Sequence, residues 1–336
     1  NLLIGFQSSL VIIAILWGFN GYFQSMLWSP GMALLANWWP GHRRGFATGL
    51  ANGFSGLGQV CAALAVSLSI IILPGFGWKA GFIIPAAIMI LTGIIYLFFI
   101  KDSPKKIGLK DYVDPDAVKM EKDEELRELV SQKGKLYPYI HLFKQWRFDC
   151  WLLIIASSSI ARYGLLTWIP TYYVQNFGVD IKEGALGTIL LPLGMAFGTF
   201  IIPTISDKYF SENRLPMVII CAAAAGLTVF FFRGIDPGPI AGMLLFSAGF
   251  FIYGINGIVW AYAIDVGGRV FAGTAAGILD CFAYLGAAVQ AIIFGSVLTS
   301  TGNWTLVFTA IVGVCAGMIL LSIIAGWGLN KKKDIV

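Results

Sequence analysis

The chain has 336 residues, of which 57% are hydrophobic and 12% charged, with a mean hydropathy of +0.78 and a formal net charge of +5. A water-soluble domain carries about 25% charged residues, so half of the usual solvating groups are absent and an ordinary cytosolic enzyme is excluded. A membrane-spanning helix needs roughly 20 apolar residues, and the chain holds several such runs.

In chain order, nine apolar spans are predicted: Leu10 to Asn37, Gly45 to Leu73, Trp78 to Ile100, Phe148 to Tyr173, Gly184 to Ile205, Leu215 to Phe232, Ile240 to Ile264, Phe271 to Thr299 and Trp304 to Leu329. Trp38, Trp39, Trp78 and Trp304 mark span ends, where an apolar ring with a polar edge suits the membrane interface. Between the third and fourth spans, residues 101–147 form the one sizeable polar stretch. It reads as a solvated linker between residues 1–100 and 148–336, with a short surface helix near Val118 to Val130 as the other reading.

The charges are segregated. Loops on alternate sides hold 19 and 3 of the 23 Lys and Arg, the larger set comprising Arg43-Arg44, the linker, Lys208 with Arg214, Arg269 and the Lys331-Lys332-Lys333 tail. Cytoplasmic loops collect Lys and Arg, so the linker and the C-terminus are expected on the cytoplasmic side of an inner or plasma membrane. The +5 charge is then topology, and no nucleic acid is expected as a partner.

An offset of 228 residues aligns two helix pairs: Gly21-Tyr22-Phe23 falls on Gly249-Phe250-Phe251, and Gly49, Asn52, Phe54, Leu57 and Gly58 fall on Gly277, Asp280, Phe282, Leu285 and Gly286. Parallel halves of six helices are a known transporter architecture. On that arithmetic three further helices precede Asn1, and an all-α membrane protein covering helices four to twelve of a twelve-helix bundle is expected.

Cys61, Cys150, Cys221, Cys281 and Cys315 have no metal-ligand spacing, His42 and His141 lie in loops, and neither a Walker A sequence nor a nucleophile elbow is present. No cofactor, metal or catalytic residue is expected. One basic residue, Arg162, stands about fourteen residues into a span, where a charge costs roughly 2.5–3.5 kcal/mol on insertion scales and commonly marks a substrate path. Its planar fork suits a phosphate or carboxylate, against the plainer reading of a structural ion pair or a snorkelling side chain. Asp280 is the one acid deep in a span; it either exchanges Arg162 with an anionic substrate or accepts hydrogen bonds from neighbouring helices. Tyr253 and Tyr284 are span tyrosines that need polar partners. Glycines at 45, 49 and 53 and at 273 and 277 recur every fourth residue, as close helix packing requires.

Arg162-Tyr163-Gly164 followed by Trp168, Pro170, Thr171 and Tyr172 resembles the seventh-helix motif of the organophosphate:phosphate antiporters within the major facilitator superfamily. Gln24, Trp28, Pro30, Trp38-Trp39 before Arg44-Gly45, Asp102-Ser103-Pro104 to Gly108-Leu109, Gly273-Thr274-Ala275-Ala276-Gly277 and Tyr284-Leu285-Gly286 extend the likeness along essentially the whole chain. The resemblance implies that Arg162 binds phosphate together with an arginine of a first helix that would precede Asn1. It also implies that Tyr253, Tyr284 and Asn52 line the site and that Ser206-Asp207-Lys208 with Arg214 forms a cytoplasmic gate, although Pro203 stands where glycine is usual. Ser55 stands where glycerol-phosphate carriers have histidine, and Asp280 where they have a small residue, so the phosphate moiety is a firmer expectation than glycerol-3-phosphate.

The expected function is therefore exchange of a phosphorylated organic anion for inorganic phosphate by a monomer in the lipid bilayer. A sugar-phosphate sensor of the same family and a hexuronate or other carboxylate carrier are the alternatives.

Overall fold

The computed structural model describes residues 1–39, 44–101, 104–109, 117–178, 189–210 and 213–327. Arg43, Lys182 and the Lys331-Lys332-Lys333 tail, part of the charge count above, lie outside them, as do Asp102 and Ser103 of the resemblance. The described residues are helical with short connections, and nine helical stretches are long and apolar enough to cross a membrane.

The chain divides into two compact units, one of Asn1–Gly41 with Leu57–Asp114 and one of His42–Gly56 with Pro115–Val336. In the first unit lie α1 (Leu10–Trp38), the later part of α2 (Arg44–Ile72) and α3 (Ala80–Phe99), the last entered through a tight turn at Pro74–Lys79. Within this unit the Trp38 indole donates to the Lys101 carbonyl at 2.8 Å, and Lys79 Nζ donates to Ser8 Oγ at 2.7 Å. Most of its large apolar side chains are exposed, from Leu10 and Val11 on α1 to Leu97, Phe98 and Phe99 on α3. An apolar face of that extent belongs in lipid.

The second unit carries the packed core. It contains α4 (Ala117–Lys133), α5 (Tyr137–Phe143), α6 (Trp146–Phe177), α7 (Leu190–Tyr209), α8 (Leu215–Phe232), α9 (Pro239–Thr301) and α10 (Trp304–Gly326). The ends of these helices follow local rules. Gly178 and Gly302 close α6 and α9 in the left-handed conformation, at φ 64° and 62°, which only glycine adopts cheaply. The Asn303 side chain accepts from the Thr305 amide at 2.9 Å and so caps α10. Prolines open α8 and α9, where a missing N–H costs nothing.

A straight 63-residue helix would run about 95 Å, three times the hydrocarbon thickness. Instead α9 holds two spans, Pro239–Gly267 and Val270–Thr301, either side of a sharp turn. A Cβ on Gly267 would meet the Ala272 amide nitrogen at 2.5 Å, so the reversal needs glycine there. The two spans read from the sequence are thus the two limbs of one continuous helical segment.

The linker takes its second reading: α4 covers the stretch near Val118 to Val130 expected as a surface helix, and the short α5 follows it. The α4 stretch is rich in Glu and Lys, both good helix formers. The α5 helix is anchored by buried Pro138 and Leu142 and by Tyr137 and His141, whose rings lie 6.3 and 5.6 Å from that of Phe271.

Close approach is concentrated between α7 and the first limb of α9. Cβ atoms on Gly194 and Gly198 would collide with the carbonyls of Phe246 and Phe250, and one on Gly249 with that of Leu191. Side-chain-free positions let the two backbones touch. Gly49 and Gly53, within the second unit, lie against the Thr199 and Ala196 carbonyls, with 3.7 and 3.5 Å from an added Cβ. Among the described residues nothing lies within 4 Å of a Cβ added at Gly273, so they show no packing role for it at the fourfold spacing.

Candidate functional site

Arg162 stands midway along the 32 residues of α6. The helix is fixed to α9 on either side of it. Toward the α5 end, Trp151 stacks on Tyr262 with centroids 4.2 Å apart. Toward the other end, the Trp168 indole donates to Gln290 Oε1 at 3.0 Å, and Gln290 is buried. Between them Ser158 donates to the Ile252 carbonyl at 3.3 Å, which binds α6 to the first limb of α9 just beside Tyr253.

The Arg162 guanidinium is carried on aromatic faces. Its Cζ lies 4.2 Å from the centroid of Tyr253 and 4.7 Å from that of Tyr163. Such contacts strengthen when water is excluded, and Tyr253 is 4% exposed. No acid among the described residues pairs with Arg162, and its buried Nε has no hydrogen-bond partner there. A buried polar atom without a partner costs about 1–3 kcal/mol, and among the described residues nothing offsets that cost at Arg162 Nε.

Asp280 and Tyr284 lie four residues apart on the second limb of α9, hence on one face. Tyr284, 54% exposed, is within electrostatic reach of Tyr163, Asp280 and Arg162, and Asp280 is within reach of Arg162. Arg162, Tyr253, Asp280 and Tyr284 therefore form one cluster, to which the structure adds Tyr163. Asn52 is 2% exposed on α2, in the part that belongs to the second unit.

Of the residues read as a gate, Asp207 and Arg214 form a pair and Lys208 stands apart. Arg214 Nη1 donates to Asp207 Oδ1 at 2.5 Å, and its Nε donates to Asp265 Oδ2 at 2.8 Å. Burial opposes the Arg214 charge, but Asp265 and Asp207 outweigh it and hold the guanidinium above its ordinary range. Lys208 is exposed and lies 5.2 Å from the Tyr209 centroid, outside this fork. Asp265 completes the arrangement and was not singled out from the sequence. It sits one residue past the predicted end of a span, where an acid reads as loop; its signal is that it precedes the Gly267 turn.

The profile of the Major Facilitator Superfamily matches residues 1–291. The chain belongs to the major facilitator superfamily. Among similar proteins, a probable hexose phosphate transport protein of Chlamydia pneumoniae is 28% identical over 99% of this chain and 74% of its own length. A glycerol-3-phosphate transporter of Bacillus subtilis is 26% identical over 98% of the chain and 74% of its length. The membrane sensor protein UhpC of Escherichia coli is 28% identical over 96% and 72%. As a facilitator with these helices the protein is a multi-pass membrane protein, and its relatives match the organophosphate:phosphate group that its motifs resemble.

Proposed function

We propose that this facilitator exchanges a phosphorylated organic anion for inorganic phosphate by alternating access. The observation that carries the reading is Arg162, a guanidinium in mid-span held by two aromatic rings with an unmatched buried Nε. A planar donor fork in a water-poor site binds a phosphate by two parallel hydrogen bonds. In this reading Arg162 clamps the phosphate, Tyr253 supports the clamp, and Tyr284, Asn52 and Asp280 meet the rest of the ligand. The hexose phosphate and glycerol-3-phosphate names of similar proteins support a phosphate ester as cargo.

Asp207 and Arg214, joined to Asp265, act as the cytoplasmic gate, with Lys208 beside them in solvent. Residues 1–100 and 148–336 act as parts of two rocking halves joined by the stretch 101–147. The protein works as a monomer in an inner or plasma membrane, with its C-terminus in the cytoplasm.

The test is exchange of labelled phosphate into phosphate-loaded liposomes carrying the full-length protein. Arg162→Lys keeps the charge and loses the fork, and is expected to lower exchange by roughly 10- to 100-fold. Near-normal exchange would remove Arg162 from the site. The similarity to a membrane sensor favours one second reading, a receptor for sugar phosphates. A receptor would bind the ester with the same Arg162 dependence yet give negligible flux in the same liposomes.

A further inference from the structure

We propose that Asp280 sets the class of phosphate ester that the Arg162 site accepts: esters with a neutral, hydroxyl-bearing organic part are taken, and esters whose organic part carries a second acid are rejected. This rests on Arg162 being the phosphate clamp. Asp280 stands half-buried one turn before Tyr284 and within electrostatic reach of Arg162. Even so, no ion pair or hydrogen bond ties its carboxylate to any described residue. An acid whose purpose was to neutralise Arg162 would close on the guanidinium, because carboxylate and guanidinium pair bidentately when nothing holds them apart. Here the guanidinium lies on the Tyr253 and Tyr163 rings instead.

Two separate recognition elements result, a donor fork and an acceptor-only carboxylate. One ligand satisfies both by giving an anionic group to Arg162 and hydrogen-bond donors to Asp280. Sugar hydroxyls supply such donors. A carboxylate on the same organic part would instead face Asp280 with no cation between them, since the other polar groups of the cluster, Tyr163, Tyr253 and Tyr284, are phenols. Selection by repulsion of the wrong ligand is a general route to specificity, and it acts strongly where water is scarce.

The experiment compares glucose 6-phosphate with 3-phosphoglycerate as competitors of labelled phosphate exchange by the full-length protein in liposomes. Glucose 6-phosphate is expected to compete at least roughly tenfold more strongly. In Asp280→Asn, which keeps the shape and removes the charge, that ratio is expected to fall about tenfold toward unity. Asp280→Glu keeps the charge and should keep the preference for the sugar ester. Each readout is a ratio within one variant, so a reduced yield of folded protein does not imitate it. If a variant exchanges too slowly, the two esters are compared by their thermal stabilisation of the same protein. Equal potency in the parent protein, or an unchanged ratio in Asp280→Asn, overturns the role of Asp280 and leaves the clamp standing. If neither ester competes, the clamp reading fails and this inference falls with it.

Discussion

Arg162 shows how a charge can be kept in a membrane span without an ion pair among the described residues. The Tyr253 ring, carried on the first limb of α9 against α6, offers its negative face 4.2 Å from the guanidinium carbon. Such a contact contributes about 2 kcal/mol or more when desolvated. Tyr253→Leu is therefore expected to weaken phosphate binding roughly tenfold or more, whereas Tyr253→Phe, which keeps the ring, should stay within a few-fold. Equal losses in the two variants, measured by competition with labelled phosphate, would show that the hydroxyl matters and the platform does not. Arg162 itself was legible in the sequence because a lone charge fourteen residues into an apolar run has no bland location. Tyr163 stood in the sequence only as part of a motif and Gln290 not at all, since their roles depend on which neighbour they meet across helices, and no spacing along the chain records that.

At the scale of helices, apolar length was a sufficient guide and glycine spacing was not. The spans at Leu10, Leu215 and Trp304 begin at the residues predicted, because Pro216 in the first turn of α8 and the cap Asn303 mark their helix starts. Several other boundaries moved, the end of α6 from Tyr173 to Phe177 among them. The start of α6 extends back to Trp146 and the end of α7 forward to Tyr209, since helical hydrogen bonding continues past the last apolar residue into the polar layer. The fourfold glycine rows misled at Gly273 because the spacing says only that one helix face is smooth, not that a partner lies on it. The tight contact is at Gly194 and Gly198 on α7. Gly198→Val should therefore prevent α7 from docking and be lost from detergent extracts as aggregated protein. Gly273→Ala, with open space around it and the better helix propensity of alanine, should raise the melting temperature slightly, by an amount on the order of 1 kcal/mol in stability. A Gly198→Val protein that remains monodisperse, with an unchanged melting temperature, would contradict the α7–α9 contact.

At the scale of the whole molecule, the second unit gathers the Arg214 fork and the described linker helix α5 at one end. The fork of Arg214 on Asp207 and Asp265 is two residues from the Gly267 turn, and the α5 ring cluster packs on Phe271 just beyond it. In the sequence, the loops assigned to that side hold 19 of the 23 Lys and Arg and the others hold 3. Lys and Arg resist transfer across a bilayer that is negative on its cytoplasmic side, so the α5 end is expected in the cytoplasm. A single cysteine placed in a background without the five native ones tests this directly. Asp236→Cys lies in the exposed turn between α8 and α9, at the end of the second unit remote from Phe271, and should react with a membrane-impermeant maleimide in intact cells. Lys135→Cys lies in the exposed bend between α4 and α5 and should react only after the membrane is opened. The reverse pattern would invert the protein in the membrane and place the Arg214 fork at the external mouth. The Arg162 site would be unaffected, because it stands near the middle of α6 and the chemistry of its clamp does not depend on which side its ligand arrives from.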